Sequence, residues 1–224
     1  MIFLFDEEAG AAELTLRGDA YKYLVKVRRH GVGERIAMRR PDAASWLCSY
    51  EIAELDGRRV RLVLMERREE EVRPPRSLHI GWCIVDPKSV EKVLPQLNEL
   101  GVGRITFVEA ARSQKQFRPD TERYERILRS SMQQCGRTAM MQFGTASGVA
   151  AFLQTHPETL ILDFSEQRFD ASVAAAETVL IGPEGGFSAE ERAAMDPARI
   201  FRLDTPMVLR SESAAAAVSA MLLL

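Results

Sequence analysis

Cysteine, histidine and long apolar runs are all scarce in this chain, and each scarcity removes a class of protein. Its only cysteines are Cys48, Cys83 and Cys135, an odd number at irregular spacing. No disulfide framework is implied, and a reducing compartment, the cytoplasm, is the expected setting. The histidines, His30, His79 and His156, stand in no ligand spacing with those cysteines, so no metal site is expected. The longest apolar run, 214–224, is shorter than the roughly 20 residues a membrane helix needs. It reads as a buried terminal helix, and no membrane partner is expected. The apolar patch at 1–5 runs straight into Asp6, Glu7 and Glu8, the wrong order for a secretory signal. There is no Walker loop and no G-x-S-x-G elbow, and no motif places a histidine beside a serine or cysteine. Covalent nucleophilic catalysis therefore has no support.

A dominant charge is missing too. The formal net charge is -2, which argues against non-specific coating of nucleic acid. The distribution is uneven, however. Between Arg112 and Arg137 seven basic residues face three acids, Asp120, Glu122 and Glu125, whereas 139–198 carries mainly acids. Five of the 30 cationic side chains are lysine, so 25 are arginine. The guanidinium fork suits bidentate phosphate contacts, while an arginine-rich, GC-biased genome produces the same count.

What is present is an ordinary globular composition, 46% hydrophobic and 28% charged over 224 residues, enough for one large domain or a small and a medium one. The stretch 1–65 is mostly strand-like: 33–38, then Trp46, Cys48, Tyr50 and Ile52 at period two, then Val60, Leu62 and Leu64. Within it Asp19 is a candidate cap for a short helix that turns Tyr21, Leu24 and Val25 inward. Lys22, Lys26, Arg28 and Arg29 then form a basic edge, either an RNA contact or a solvated face. The densely charged stretch 66–76 ends in Pro74-Pro75, a pair that continues neither helix nor central strand, and we place a boundary there, giving domains 1–70 and 71–224.

Beyond it strands and helices alternate, the pattern of a parallel α/β sheet. Leu78, Ile80, Trp82 and Ile84 make a strand, and Asp86-Pro87 caps and opens a helix. That helix buries Val90, Val93, Leu94, Leu97 and Leu100, is expected to kink at Pro95, and stops at Gly101. Further strands are expected at 105–108, 160–164, 179–181 and 200–203. Helices are expected from Thr121 with an inner stripe of Tyr124, Ile127, Leu128, Ser131, Met132 and Cys135, and near 148–154 and 188–195. Gly101-Val102-Gly103 closes a helix instead of opening one, so it is no dinucleotide fingerprint.

Two elements carry chemistry. Leu180-Ile181-Gly182-Pro183-Glu184-Gly185-Gly186-Phe187 follows a strand and precedes Ser188, whose spacing to Glu191 makes a capping box. Three glycines and a proline let a ligand approach the backbone at the carboxyl end of a strand, and a flat adenosine-like ligand suits such a turn; the same glycines also fit a plain connector. The second element is Pro206-Met207-Val208-Leu209-Arg210-Ser211-Glu212-Ser213-Ala214, opening the last helix with Ser211 or Ser213 as candidate cap and Glu212 in its first turn. Together these segments resemble the ribosomal RNA small-subunit methyltransferase E family, within the SPOUT methyltransferases. The resemblance extends to Asn98-Glu99-Leu100-Gly101-Val102, to Gln133-Gln134-Cys135-Gly136-Arg137 and to the N-terminal β-rich domain, which looks like the family's PUA-like domain. The chain departs from the family at Asp204-Thr205, where Leu-Gly is usual, at Gln96 in place of lysine, at Gln133 in place of an acid, and at Tyr23 near a usual histidine.

The resemblance implies an α/β fold: a C-terminal SPOUT domain with a trefoil knot and mostly parallel sheet, behind a small PUA-like β-barrel that binds RNA. It implies bent S-adenosylmethionine as cofactor, an obligate homodimer, and methylation of N3 of a uridine in 16S ribosomal RNA, free or in the small subunit. Cofactor contacts, largely main-chain, are expected from Leu180, Ile181, Gly182, Pro183, Gly185, Gly186, Leu203, Val208, Leu209, Ser211 and Ala214, with Phe164 as a wall. Arg210 is the candidate for stabilising a uracil anion or gripping phosphate. Glu184 and Glu212 are candidates for the base, for cofactor hydrogen bonds or for helix capping. RNA contacts are expected from Arg28, Arg29, Arg112, Arg118 and Arg137. The alternatives are a SPOUT enzyme acting on another RNA base, and a non-catalytic RNA-binding protein.

Overall fold

Alternating apolar residues between Leu14 and Leu62, and helical stripes alternating with strands after Leu78, sort the chain into a β-rich unit and an α/β unit. The computed structural model describes residues 3–113, 118–169 and 175–224; Lys115 of the basic cluster and Met1 and Ile2 of the N-terminal patch lie outside them. The chain divides into one unit of Met1–Arg73 with Met132–Ala139 and a second of Pro74–Ser131 with Met140–Leu224. A boundary drawn once along the chain at 70/71 does not anticipate that 132–139 belongs to the first unit.

The first unit is a five-stranded sheet of β1 (Leu4–Phe5), β2 (Glu13–Arg17), β3 (Arg35–Arg40), β4 (Ala43–Leu55) and β5 (Arg59–Glu69), in the order β1-β3-β4-β5-β2. Only the β1–β3 pair is parallel. Leu14, Leu16, Met38, Tyr50, Ile52, Val60 and Leu62 fill its core, as period two demands. The charged stretch that leads to the expected boundary is partly strand: residues 66–69 pair with 46–49 of β4. Those charges sit on an exposed strand end and form ion pairs such as Arg68–Glu66. The short helix α1 (Gly18–Tyr21) continues as a π-helical turn, Lys22–Val27. Its cap is Arg17, without a side-chain bond, and not Asp19; Asp19 lies in the first turn and pairs with Lys22 at 2.9 Å. Tyr21 and Leu24 are buried, while Lys22, Lys26, Arg28 and Arg29 are exposed.

Gln133 explains its own departure from the family. Its side-chain oxygen accepts the Phe5 backbone N–H at 2.8 Å and its carbonyl accepts that of Phe3 at 3.2 Å. The side-chain amide oxygen accepts the Phe5 bond as a carboxylate would.

The second unit holds six strands, β6 (Leu78–Cys83), β7 (Val102–Val108), β8 (Gln142–Ala146), β9 (Leu160–Leu162), β10 (Thr178–Ile181) and β11 (Ile200–Phe201), in the order β11-β9-β10-β6-β7-β8. Every pair is parallel, as the alternation requires. β8, with Gly144 and polar residues, carries too little apolar pattern to be read from sequence; it forms because β7 offers it an edge. Helices α2 (Pro87–Leu100), α3 (Thr121–Cys135) and α6 (Ser211–Leu223), and the shorter α4 (Val149–Thr155) and α5 (Ala189–Ala193), complete the unit. One face of the sheet buries Ile80, Trp82, Ile105, Phe107, Val179 and Ile181 with Val90, Leu94, Leu97, Leu128 and Val218. The other buries Cys83, Val108, Ile161 and Leu180 with Phe152, Phe187 and Met195. Such two-sided cover is what a parallel sheet needs. Asp86 caps α2 by accepting the Ser89 N–H, Pro87 opens it, and Gly101 ends it at φ 103.

At the amino ends of these strands, half-buried His79 meets the Thr106 hydroxyl at 2.7 Å and the His156 ring at 4.6 Å. Burial first, then the nearby His156 and Arg104, push its pKa from 6.5 down to about 4. The folded state thus favours neutral His79 while the unfolded chain takes up a proton below pH 6.5, so stability falls as pH drops from 6.5 towards 4. Chemical denaturation across that window is expected to show this slope in the wild type and a flatter one in His79→Gln, which retains a polar partner for Thr106.

Candidate functional site at the carboxyl ends of the sheet

Parallel strands that change direction of connection leave a crevice at their carboxyl ends, and here β9, β10 and β11 end together. A cavity of about 850 Å³ opens there, lined by residues 162–166 after β9, by Ile181, Gly182, Pro183, Glu184 and Gly186 after β10, and by Arg202, Leu203, 205–209, Ser211 and Ala214 after β11. The two sequence segments that carried the chemistry are therefore brought to one place.

The glycine turn has the shape its composition suggests. A Cβ on Gly182 would lie 2.9 Å from the Phe187 ring, and Gly186 has φ 69, so a side chain at the first position collides and at the second strains the backbone. The turn closes through Gly186 N–H to the Pro183 carbonyl at 2.9 Å. It feeds α5, whose capping box is complete: Ser188 Oγ accepts the Glu191 N–H at 3.2 Å, and Glu191 Oε2 accepts the Ser188 N–H at 2.7 Å.

A second set of contacts supports the turn from the loop after β7. Glu191 Oε1 accepts the Ala111 N–H at 2.8 Å, and Arg112 Nη1 donates to the Gly185 carbonyl at 2.6 Å. Arg112, expected to contact RNA, is exposed and also braces the glycine turn. Nothing in its local sequence signals that role, because Gly185 is 73 residues away.

The other wall is set by the last helix. Its N-cap is Arg210, with no side-chain cap bond, so neither Ser211 nor Ser213 caps it. Ser211 instead lies at the first helical position, buried, and its Oγ accepts the Trp82 indole N–H at 2.5 Å. An indole donor in an apolar core has to be satisfied, and this bond anchors the start of α6 to the central strand β6. Thr205 Oγ1 accepts the Met207 N–H at 3.2 Å, and Asp204 pairs with Arg168 at 3.2 Å. Asp204-Thr205 thus has local partners of its own where the family has Leu-Gly.

Of the expected cofactor residues, Phe164, Ile181, Gly182, Pro183, Gly186, Leu203, Val208, Leu209, Ser211 and Ala214 line the cavity, as does Glu184. Phe164 is 70% exposed at its mouth. Leu180 is fully buried, its side chain packed with Cys83 and Phe187 on the opposite face. Gly185, Arg210 and Glu212 do not line it: Gly185 faces Arg112, Arg210 is exposed beside Leu209, and Glu212 is half-buried. Asp163, Glu166 and Arg202 line it and were not singled out in the sequence, and Thr205, noted there only as a departure, lines it too. Asp163 directly follows β9, where ligand groups collect, and its side chain, 5% exposed, pairs with Arg192 at 2.7 Å.

Among the arginines expected on RNA, Arg28, Arg29 and Arg118 are exposed. Arg137 is a correction: it is 6% exposed. Gly136, at φ 91, follows α3, Arg137 and Thr138 after it are buried, and burial lowers the Arg137 pKa. Little of Arg137 is open to solvent. Among the described residues no group of three or more histidines, cysteines or acids could hold a metal, and no helix is long and apolar enough to cross a membrane.

The model of the RNA methyltransferase domain matches residues 72–223. The chain belongs to the RNA methyltransferase family. The match takes in all six parallel strands and both cavity segments. Among curated members, the ribosomal RNA small subunit methyltransferase E of Helicobacter pylori is 35% identical over 96% of each chain. Among solved structures, a methyltransferase of Legionella pneumophila with bound S-adenosylmethionine is 26% identical, with a TM-score of 0.73 over 99% of this chain and 95% of that one. A ribosomal RNA small subunit methyltransferase E of Neisseria gonorrhoeae, bound to S-adenosylmethionine, shares the fold at 20% identity and a TM-score of 0.72, covering 98% and 95%.

If Trp82 and Ser211 hold the cavity wall, Ser211→Ala strands a buried indole N–H. A loss of about 1–3 kcal/mol of stability is expected, read by urea denaturation, with faster amide exchange at the start of α6.

Proposed function

We propose that this protein transfers a methyl group from S-adenosylmethionine to N3 of a uridine in 16S ribosomal RNA. The observation that carries the reading is the single cavity formed by the glycine turn and the 205–214 segment, in a chain that matches the Helicobacter pylori enzyme over 96% of its length. The lining suits the cofactor's net charge: Asp163, Glu166 and Glu184 outnumber Arg202, and the cofactor's sulfonium and ammonium outnumber its one carboxylate. Apolar Ile181, Leu203, Val208, Leu209 and Ala214 suit an adenine ring. Backbone groups of Gly182, Pro183, Gly186 and Ser211 would hold its polar edges, with Phe164 against one side.

The sulfonium supplies an electrophilic methyl group when bound. The protein's task is to position the uracil and manage its N3 proton. That proton is barely acidic at neutral pH, so a base or a cation that stabilises the developing anion is required. Arg210, exposed at the cap of α6 beside the cavity, is assigned the anion. Glu184 on the lining and Glu212 in the first turn of α6 are the two carboxylates in reach of the base's role. Exposed Arg28, Arg29, Arg112 and Arg118 would take phosphates, making binding weaken with salt. A uridine inside folded RNA has to be turned out to reach the site.

The same reading places the chain in the SPOUT class. From the sheet edge at β11 the chain returns to pack α6 on α2, β6 and β10, which supports a knot at that return. Exposed Phe164, Met207 and Val208 around the cavity support a homodimer that covers them. The β-rich first unit is assigned as a PUA-like RNA-binding domain, and the cytoplasm as the place of action.

Undermethylated small subunits incubated with labelled cofactor and this protein should yield N3-methyluridine on nucleoside mass spectrometry. Label in another nucleoside would move the enzyme to a different SPOUT specificity, and no label with intact cofactor binding would leave an RNA-binding protein. Arg210→Ala is expected to lower kcat by about 100-fold, as loss of an anion-stabilising donor does, with little change in cofactor Kd. Arg112→Ala should raise that Kd by about fivefold through the lost bond to Gly185, a modest charge-assisted contribution, measured by calorimetry.

A further inference from the structure

The inner row of β4 continues in steps of two from Ile52 and Tyr50 through Cys48 to Trp46. The first three are buried, and the fourth should be as well. Instead Trp46 is 36% exposed and forms one wall of a separate cavity of about 470 Å³, wholly within the first unit. A large apolar ring left in water on the core side of a sheet forgoes burial that its neighbours gain.

The cavity around it is built. The register between β4 and β5 shifts at Ser49/Tyr50, a bulge of the kind that re-aims a strand end beside a site. Beyond it Arg67 pairs opposite Cys48, and its guanidinium lies 4.5 Å from the centre of the Trp46 ring. The facing wall, 9–11, is held by the buried Tyr50 hydroxyl, which accepts the Gly10 N–H at 2.8 Å and donates to the Ala11 carbonyl at 2.7 Å.

The charges select the occupant. Arg40, Arg67, Glu8 and Glu13 stand on the lining; Arg40 is held by Asp42 at 2.6 Å and Glu13 lies 3.6 Å from Arg61, so both signs of charge are present and neither dominates. A cationic side chain would meet Arg67 over the same indole, and a bare phosphate would meet two carboxylates. A neutral flat ring with donors and acceptors on its edge satisfies both signs: it stacks on the indole, gives N–H groups to carboxylate and accepts from guanidinium. We infer that Trp46 and Arg67 form a stacking site for an unpaired nucleobase of the RNA. The inference rests on the reading of the chain as an RNA-modifying enzyme and adds a base-binding site apart from the cofactor cavity.

The chain has two tryptophans, and Trp82 is fully buried, so quenching by an added ligand reports on Trp46. A short unstructured oligoribonucleotide is expected to quench full-length protein saturably, and an abasic strand of the same length is not. Trp46→Leu should lose the quench and bind the labelled oligonucleotide about tenfold more weakly by anisotropy, within the range for a lost stacking partner, while Trp46→Phe retains most affinity. Equal quenching by the abasic strand would reduce the site to phosphate attraction and overturn the inference. Quenching by an arginine-rich peptide but not by RNA would overturn it in favour of a cation cage. Unchanged affinity in a folded Trp46→Leu protein would also overturn it. Should that variant fail to fold, Arg67→Ala decides: a severalfold weaker complex supports the site, and an unchanged one removes it. None of these readouts uses cofactor or methyl transfer, so a protein that binds bases here yet moves no methyl group separates failure of the enzymatic reading from failure of this one.

Discussion

A buried indole N–H that has to find an acceptor organises the α/β unit. Trp82 lies in the middle of the sheet, in a core that offers its nitrogen no water, and the hydroxyl of Ser211 satisfies it. Because Ser211 is the first residue of the last helix, the bond sets where that helix begins, and so where the five residues before it cross the ends of β9, β10 and β11. The glycine turn is shaped independently, by Phe187 pressing on Gly182 and by the capping box of the helix that follows. The cavity exists because these two local solutions face each other across strand ends aligned by the parallel register.

The bracing of the turn adds a link between surface and cavity. Ala111 and Arg112 follow β7 on a loop that carries the basic cluster, yet both bond into the glycine segment, one through Glu191 and one through Gly185. The shape of the turn is therefore tied to the loop after β7 through these two bonds. These two bonds add to the turn's own Gly186–Pro183 closure and to the capping box that follows it.

Several departures between pattern and structure have identifiable causes. Arg137 looks like one more member of a basic helix, but the left-handed Gly136 turns it inward. Strand β5 extends through the charges 66–69 because β4 supplies a partner for each of them. Asp19 resembles a cap and is not one, since the helix starts a residue earlier and the carboxylate finds Lys22. In the first two cases a single backbone angle or a partner strand outweighs a local preference worth about 1 kcal/mol; for Asp19 the competing partner is itself local.

Sequence by itself determined the elements whose causes are local. The alternation of strand and helix after Leu78, the Asp86-Pro87 start and Gly101 stop of α2, the capping box at Ser188 and the conformationally permissive 182–186 turn all follow from residues within a few positions of one another. The parallel sheet follows too, because short strands separated by helices have few other ways to bury both faces. Tertiary structure alone decided which distant groups meet. It brought residues after β9, β10 and β11 around one cavity, gave Ser211 to Trp82, set Arg112 under Gly185, and left Trp46 uncovered at the end of an otherwise buried row. Those outcomes depend on strand order, register and bulges, which arise from packing between segments tens of residues apart and leave no periodic trace in the chain.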